Sequence, residues 1–189
     1  FRNTPSEVAE LASMAMELIS MEHWGVFFDN EEDLKRAKIE HLEDLLSVLP
    51  WIATVDKFQH WLYENPKHTI AERTENWIQT YNDFSDNITK WSDYERFKAY
   101  AWQKQLHIFE VPFYYIEYGM AQLGAISVWR NYITDKQKGL DGYMNALRLG
   151  YTASIGEIYE AANVKFDFSA DYISELMAFV KDELAELKK

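Results

Sequence analysis

Residues 4–17, Thr4-Pro-Ser-Glu7-Val-Ala-Glu10-Leu-Ala-Ser13-Met-Ala-Met-Glu17, decide the fold class. Thr4-Pro5-Ser6-Glu7 reads as a capping box. Thr4 is the N-cap, Pro5 takes the first helical position, where a missing N–H costs nothing, and Glu7 reaches back to the cap. The helix it opens is expected to run to about Trp24, before Gly25. Val8, Leu11, Met14, Met16, Leu18, Ile19 and Met21 fall on nearly every side of it, the pattern of a helix buried most of the way round.

The same punctuation continues along the chain. Asn30 caps a helix carrying Leu34, Ile39, Leu42, Leu45, Leu46 and Leu49. Pro50 is expected to kink or interrupt that helix before it resumes through Trp51, Ile52, Val55, Phe58 and Trp61 and stops at Asn65-Pro66. Thr69-Ile-Ala-Glu72 and Ser154-Ile-Gly-Glu157 are further capping boxes. Helices are also expected over 92–106, from Pro112 to about Tyr132, over 140–149 before Gly150, and from Ser169 to the terminal lysines. No segment alternates at period two, and only 7 Gly and 4 Pro punctuate the 189 residues, so the chain reads as all-α and as one domain.

Composition narrows the function. Nineteen Lys and Arg against 31 Asp and Glu give a formal charge of −12, which repels phosphate backbones and argues against a nucleic-acid partner. The absence of cysteine excludes a disulfide scaffold, a thiolate metal site and a Cys nucleophile, and permits a cytoplasmic setting. The longest apolar run, from Pro112 to Trp129, includes Glu117, Gln122 and three tyrosines and reads as a buried helix, not a membrane span.

Two constellations could carry chemistry. Glu10 and Glu17 are two turns apart and share a helix face, so on a nearly all-apolar helix at least one carboxylate should be desolvated. A metal ion would offset that cost; an Arg or Lys partner would do so equally, and spacing alone does not choose the metal. Downstream lies His107-Ile-Phe-Glu-Val-Pro112-Phe-Tyr114-Tyr115-Ile-Glu117-Tyr118. Tyr114 and Tyr118 are i,i+4, and Tyr115 and Tyr118 are i,i+3, so their rings approach. Their hydroxyls beside an imidazole can donate to a developing oxyanion; equally, they can be large core residues with satisfied hydroxyls. His23, His41, His60 and His68 show no metal-ligand spacing.

Taken together, the two segments resemble oligoendopeptidase F, of the thimet-oligopeptidase-like zinc metallopeptidases. The Glu10-x-x-Ser13-x-x-x-Glu17 pattern resembles the helix after that family's zinc motif, and the His107 to Tyr118 stretch resembles its substrate-side His/Tyr segment. The resemblance implies the all-α catalytic lobe of a zincin-type oligopeptidase, with Glu10 as third zinc ligand and Glu17 orienting a metal-bound histidine. It further implies that His107, Tyr114 and Tyr118 act on the tetrahedral oxyanion, with Tyr115 binding substrate, and that the substrates are short peptides.

The family's HExxH motif, two histidine ligands with a general-base Glu between them, does not occur in this sequence. Residues 1–189 are therefore expected to be the C-terminal helical part of a peptidase catalytic domain, with the two histidine zinc ligands on an HExxH-bearing segment or partner chain. The chain alone is expected to be inactive. Apolar surface from Val8 to Met21 is expected to lie exposed and drive association, and Glu10 is expected to be largely buried, facing a polar cavity shared with His107 or Tyr118. The alternative is a non-catalytic helical binding module or a structural subunit derived from such a peptidase.

Overall fold

The computed structural model describes residues 4–86 and 88–189, and among them every regular element is helical, with no strand. The helices are α1 (Ser6–Ser20), α2 (Glu31–Glu64), α3 (Ile70–Phe84), α4 (Glu95–Tyr100), α5 (His107–Glu110), α6 (Tyr115–Thr134), α7 (Lys136–Leu149), α8 (Ile155–Ala161) and α9 (Ala170–Leu187). Tighter 3-10 turns follow α1 at Met21–Phe27 and α4 at Ala101–Lys104.

Local chemistry sets most boundaries. Thr69 and Ser154 each form the complete reciprocal box, the hydroxyl accepting from the N3 amide while Glu72 or Glu157 accepts from the cap N–H. These bonds hold both carboxyls below the usual carboxylate range. Asn30 Oδ1 accepts from the Asp33 N–H at 2.8 Å, and Ser169 accepts from the Tyr172 N–H. Asp135 caps α7 four residues earlier than the apolar pattern predicts.

Four helix readings are corrected, the first being that α6 begins at Tyr115 and not at Pro112. The Thr4 box does not form: Pro5 is the N-cap of α1, and no side chain caps it. Pro50 lies inside α2, which runs on for 34 residues. Proline removes one i→i−4 bond, but Thr54 Oγ1 donates to the Pro50 carbonyl at 2.8 Å, and Ile52, Thr54, Val55 and Phe58 beyond it are buried, so burial outweighs the break. The expected helix over 92–106 is reduced to α4 and its 3-10 turn.

The chain divides into two compact units, Phe1–Leu46 with Met120–Lys189, and Ser47–Gly119. In the first, α1 buries Val8, Leu11, Ala15, Leu18 and Ile19, while Ser13, Met16 and Glu17 are exposed. The helix is thus amphipathic, and its apolar face is covered by the unit itself, contrary to the expected exposure from Val8 to Met21. Alanine and methionine tolerate either environment, which is why the sequence overstates the buried arc. Residues 121–129 of α6 are buried throughout. Tyrosines lock this core by their hydroxyls: Tyr143 donates to the Ala12 carbonyl at 2.8 Å, Tyr172 meets Ser127 Oγ at 2.9 Å, and fully buried Tyr159 donates to the Met120 carbonyl.

The second unit packs around Val55, Phe58, Trp77, Trp102 and Ile108. Phe58 meets Trp77 edge-on at 5.0 Å and Trp102 at 5.6 Å, and the Trp77 indole N–H donates to the Lys98 carbonyl at 2.7 Å. Truncating Phe58 or Trp77 to Ala would cost about 3–5 kcal/mol.

Two glycines give a matched test of the first unit. With only Asp135 between α6 and α7, a Cβ on Gly139 would fall 2.4 Å from Tyr132 Cα, a clash with backbone that no rotamer change relieves. A Cβ on Gly156, in α8, meets nothing within 4 Å. Urea unfolding should show Gly139→Ala destabilising the protein by about 1–3 kcal/mol or more, and Gly156→Ala stabilising it by about 0.4–1 kcal/mol.

Candidate functional site

Gln59 on α2 sets the geometry of the His/Tyr segment. Its side chain is buried, its Oε1 accepts from the Phe113 N–H at 3.1 Å, and its Nε2 lies 3.5 Å from the Ile108 carbonyl of α5. One amide thereby spans the link between α5 and α6. Within that link Phe113 adopts φ 61, the left-handed region that non-glycine residues seldom occupy. Its ring packs on His60 at 4.8 Å and Tyr63 at 4.9 Å, contacts that offset the backbone cost.

The turn brings His107, the first residue of α5, against the start of α6. The imidazole centroid lies 6.0 Å from the Tyr114 ring, 4.9 Å from Tyr115 and 5.6 Å from Tyr118, the last edge-on at 89°. Tyr118 in turn meets Tyr114 and Tyr115, each at 5.4 Å. All four of these side chains are half-buried, neither sealed in a core nor free in water. The i,i+3 and i,i+4 spacings of the tyrosines predict part of this cluster; the chain turn around Pro112 and Phe113 supplies the rest.

Two residues that the sequence does not single out complete the arrangement. Gln105 Nε2 lies 2.6 Å from His107 Nδ1, and the Trp51 indole N–H donates to Gln105 Oε1 at 3.1 Å. Burial pushes the Tyr115 phenol above its usual range, opposed by hydrogen bonds from Trp51 and Gln105. One further polar atom stands out: Glu117 Oε2, on the first turn of α6, is buried without a hydrogen-bond partner among the described residues.

Glu10 and Glu17 lie in the first unit. Contrary to expectation, neither is buried: Glu10 is half-buried and Glu17 exposed. Amphipathic α1 leaves both on its wetter side, so no desolvation cost demands a counter-ion. Ser13 Oγ donates to the Glu10 carbonyl at 3.0 Å and lies 3.4 Å from its Oε2, so the Glu-x-x-Ser spacing is used inside one helical turn. Among the described residues, no group of three His, Cys, Asp or Glu side chains is arranged to hold a metal ion. No helix among them is long and apolar enough to cross a membrane.

Replacing Gln59 with the similarly shaped Leu should leave the Phe113 N–H without its acceptor. Urea unfolding of Gln59→Leu should show a loss of about 1–3 kcal/mol, the cost of a buried unsatisfied donor. A loss within 0.5 kcal/mol, roughly what an unimportant surface change gives, would mean that the turn holds without the amide.

The sequence matches peptidase family M3 over residues 1–178. Among solved structures, PZ peptidase A with an inhibitor superposes with a TM-score of 0.83 at 28% identity, covering 97% of this chain and 32% of that one. A structure assigned to oligoendopeptidase F gives 0.80 at 32% identity, covering 95% of this chain and 32% of that one. A Bacillus anthracis protein assigned likewise gives 0.73 at 27%, covering 97% and 30%. The chain thus spans about a third of the length of the structures it matches. No curated protein matches it.

Proposed function

Because the chain belongs to peptidase family M3, we propose that it supplies the third zinc ligand and the substrate-side His/Tyr segment of a zinc metalloendopeptidase acting on short peptides. The observation that carries the reading is the cluster of His107, Tyr114, Tyr115 and Tyr118, four half-buried polar rings in mutual contact. Half-burial leaves their polar edges within reach of a ligand, whereas Phe58 and Trp77 of the same unit are sealed in its core.

The donor set fits a shared site. Glu10 offers one carboxylate, a suitable zinc ligand, and the two histidine ligands and the general base belong to an HExxH-bearing segment or chain. Zinc, when bound, lowers the pKa of a coordinated water and polarises the scissile carbonyl. Glu17, seven residues from Glu10, orients a ligating histidine.

The chain's remaining residues handle the substrate. Tyr118 and Tyr114 hydroxyls donate to the oxygen of the scissile carbonyl as negative charge develops on it, and His107 adds a contact from its imidazole. Tyr115, its ring against the His107 imidazole at 4.9 Å, forms a wall for the peptide backbone. A cysteine-free, acidic chain suits the cytoplasm as its setting.

A non-catalytic helical module or a structural subunit derived from such a peptidase is the second reading, and failure to take up zinc would favour the module. Turnover of a quenched fluorescent peptide, with the HExxH-bearing segment supplied, separates the two. Peptidase action requires cleavage that chelation abolishes and zinc restores, with none from this chain alone. In that assembly Tyr118→Phe or Tyr114→Phe should lower kcat by about 10²-fold, the scale of one lost oxyanion donor, while leaving folding intact. His107→Ala should lower kcat/KM. Native turnover in both single Phe variants and in the double variant would return the tyrosines to packing alone.

A further inference from the structure

We infer that Trp51 and Gln105 form a relay that sets the tautomer of His107, with Nδ1 accepting and the proton on Nε2, so that the ring presents a hydrogen-bond donor to its surroundings. Both are positioning residues, acting through the imidazole.

The inference follows from what each group can do. An indole N–H only donates, so the Gln105 atom it meets at 3.1 Å has to be the carbonyl oxygen of the amide. That choice fixes the amide's rotation and turns its NH₂ toward His107. An amide NH₂ also only donates, so at 2.6 Å the Nδ1 atom has to offer its lone pair. A neutral imidazole with a bare Nδ1 carries its proton on Nε2. Flipping the amide does not rescue the other tautomer, since the indole would then face the NH₂.

The relay is well supported. Trp51 sits on α2 with its ring edge-on to buried Trp77 at 6.0 Å, which limits its motion. Gln105 leaves the 3-10 turn in an extended conformation, φ −87 and ψ 90, and its N–H is held by the Trp102 carbonyl. Half-burial of Trp51 and Gln105 reduces competition from water.

The functional consequence takes from the proposed function that His107 meets substrate: there it acts as a neutral N–H donor to a carbonyl oxygen, not as a base. The test does not depend on that assignment. In ¹⁵N-histidine-labelled chain above neutral pH, with His107 assigned by loss of its signals in His107→Ala, long-range ¹H–¹⁵N spectra should show a protonated Nε2 and a bare Nδ1. In Gln105→Glu the carboxylate accepts from both the indole and the imidazole, so the proton should move to Nδ1. Trp51→Phe frees the amide to rotate and should give a mixture of tautomers, which keeps the test open if Gln105→Glu does not fold.

A protonated Nδ1 in the native chain would overturn the relay, as would an unchanged tautomer in both variants. In the assembly with the HExxH segment, Gln105→Glu should lower kcat by about 10²-fold, as for a lost oxyanion donor. A tautomer that switches as expected while His107→Ala and Gln105→Glu both retain native turnover would uphold the relay and remove His107 from the peptidase mechanism.

Discussion

The amide of Gln59 connects the α5 carbonyl of Ile108 with the N–H of Phe113, and the polar cluster of the second unit depends on that span. Without it, the link from Val111 to Tyr114 would have a buried donor to satisfy and a residue at φ 61 with less to hold it there. With it, α6 begins where three tyrosine rings close on the imidazole of His107. The neighbouring aromatic core makes the span rigid: Gln59 is adjacent in sequence to fully buried Phe58, which is wedged against Trp77 and Trp102. A side chain anchored at that depth behaves as part of the scaffold.

The helices were legible where their ends are made by nearest neighbours. Thr69 with Glu72, Ser154 with Glu157, and Asn30 with Asp33 close over three residues, so residue identity alone specifies the bonds. Thr4 has the same spelling and makes no cap, because Pro5 takes the cap position itself. Pro50 shows the opposite override. Its local cost of about 3 kcal/mol is smaller than the gain from burying the next two turns, a quantity that exists only once the unit is packed. The arc of α1 was overstated for a related reason: Ala and Met count as apolar in a pattern but accept exposure at little cost.

The site was legible to the same depth. Tyr115 and Tyr118 are placed by helix geometry at i,i+3 and could be read directly, whereas Tyr114 precedes α6 and is placed by the turn before it. Family membership then changes what such a row of tyrosines means, without moving a single atom. Gln59, Trp51 and Gln105 were invisible because their bonds join residues 49 to 54 positions apart. Gln105 did carry a faint signal, a side-chain amide two residues before the only histidine in the segment, but its role depends on an indole from α2. Glu10 illustrates the reverse case. Its spacing to Ser13 and Glu17 was plain, while the expected burial failed because the face it occupies is the polar face of an amphipathic helix.

The donors in the cluster are all neutral groups, and that has a physical logic in a chain of formal charge −12. A cation in a half-buried site would carry a desolvation penalty and would invite pairing with one of the many surrounding carboxylates. A phenol or a neutral imidazole escapes both effects and still offers a strong hydrogen bond to an oxyanion, since charge on the acceptor alone is enough to strengthen it. Burial also moves the Tyr115 phenol upward, further from ionisation, so the proton it carries stays in place at neutral pH. The same reasoning gives the Gln105 amide an advantage over a carboxylate at that position. A carboxylate would draw the proton to Nδ1 and turn it inward, whereas an amide held by an indole leaves Nδ1 bare and the ring N–H on the opposite nitrogen.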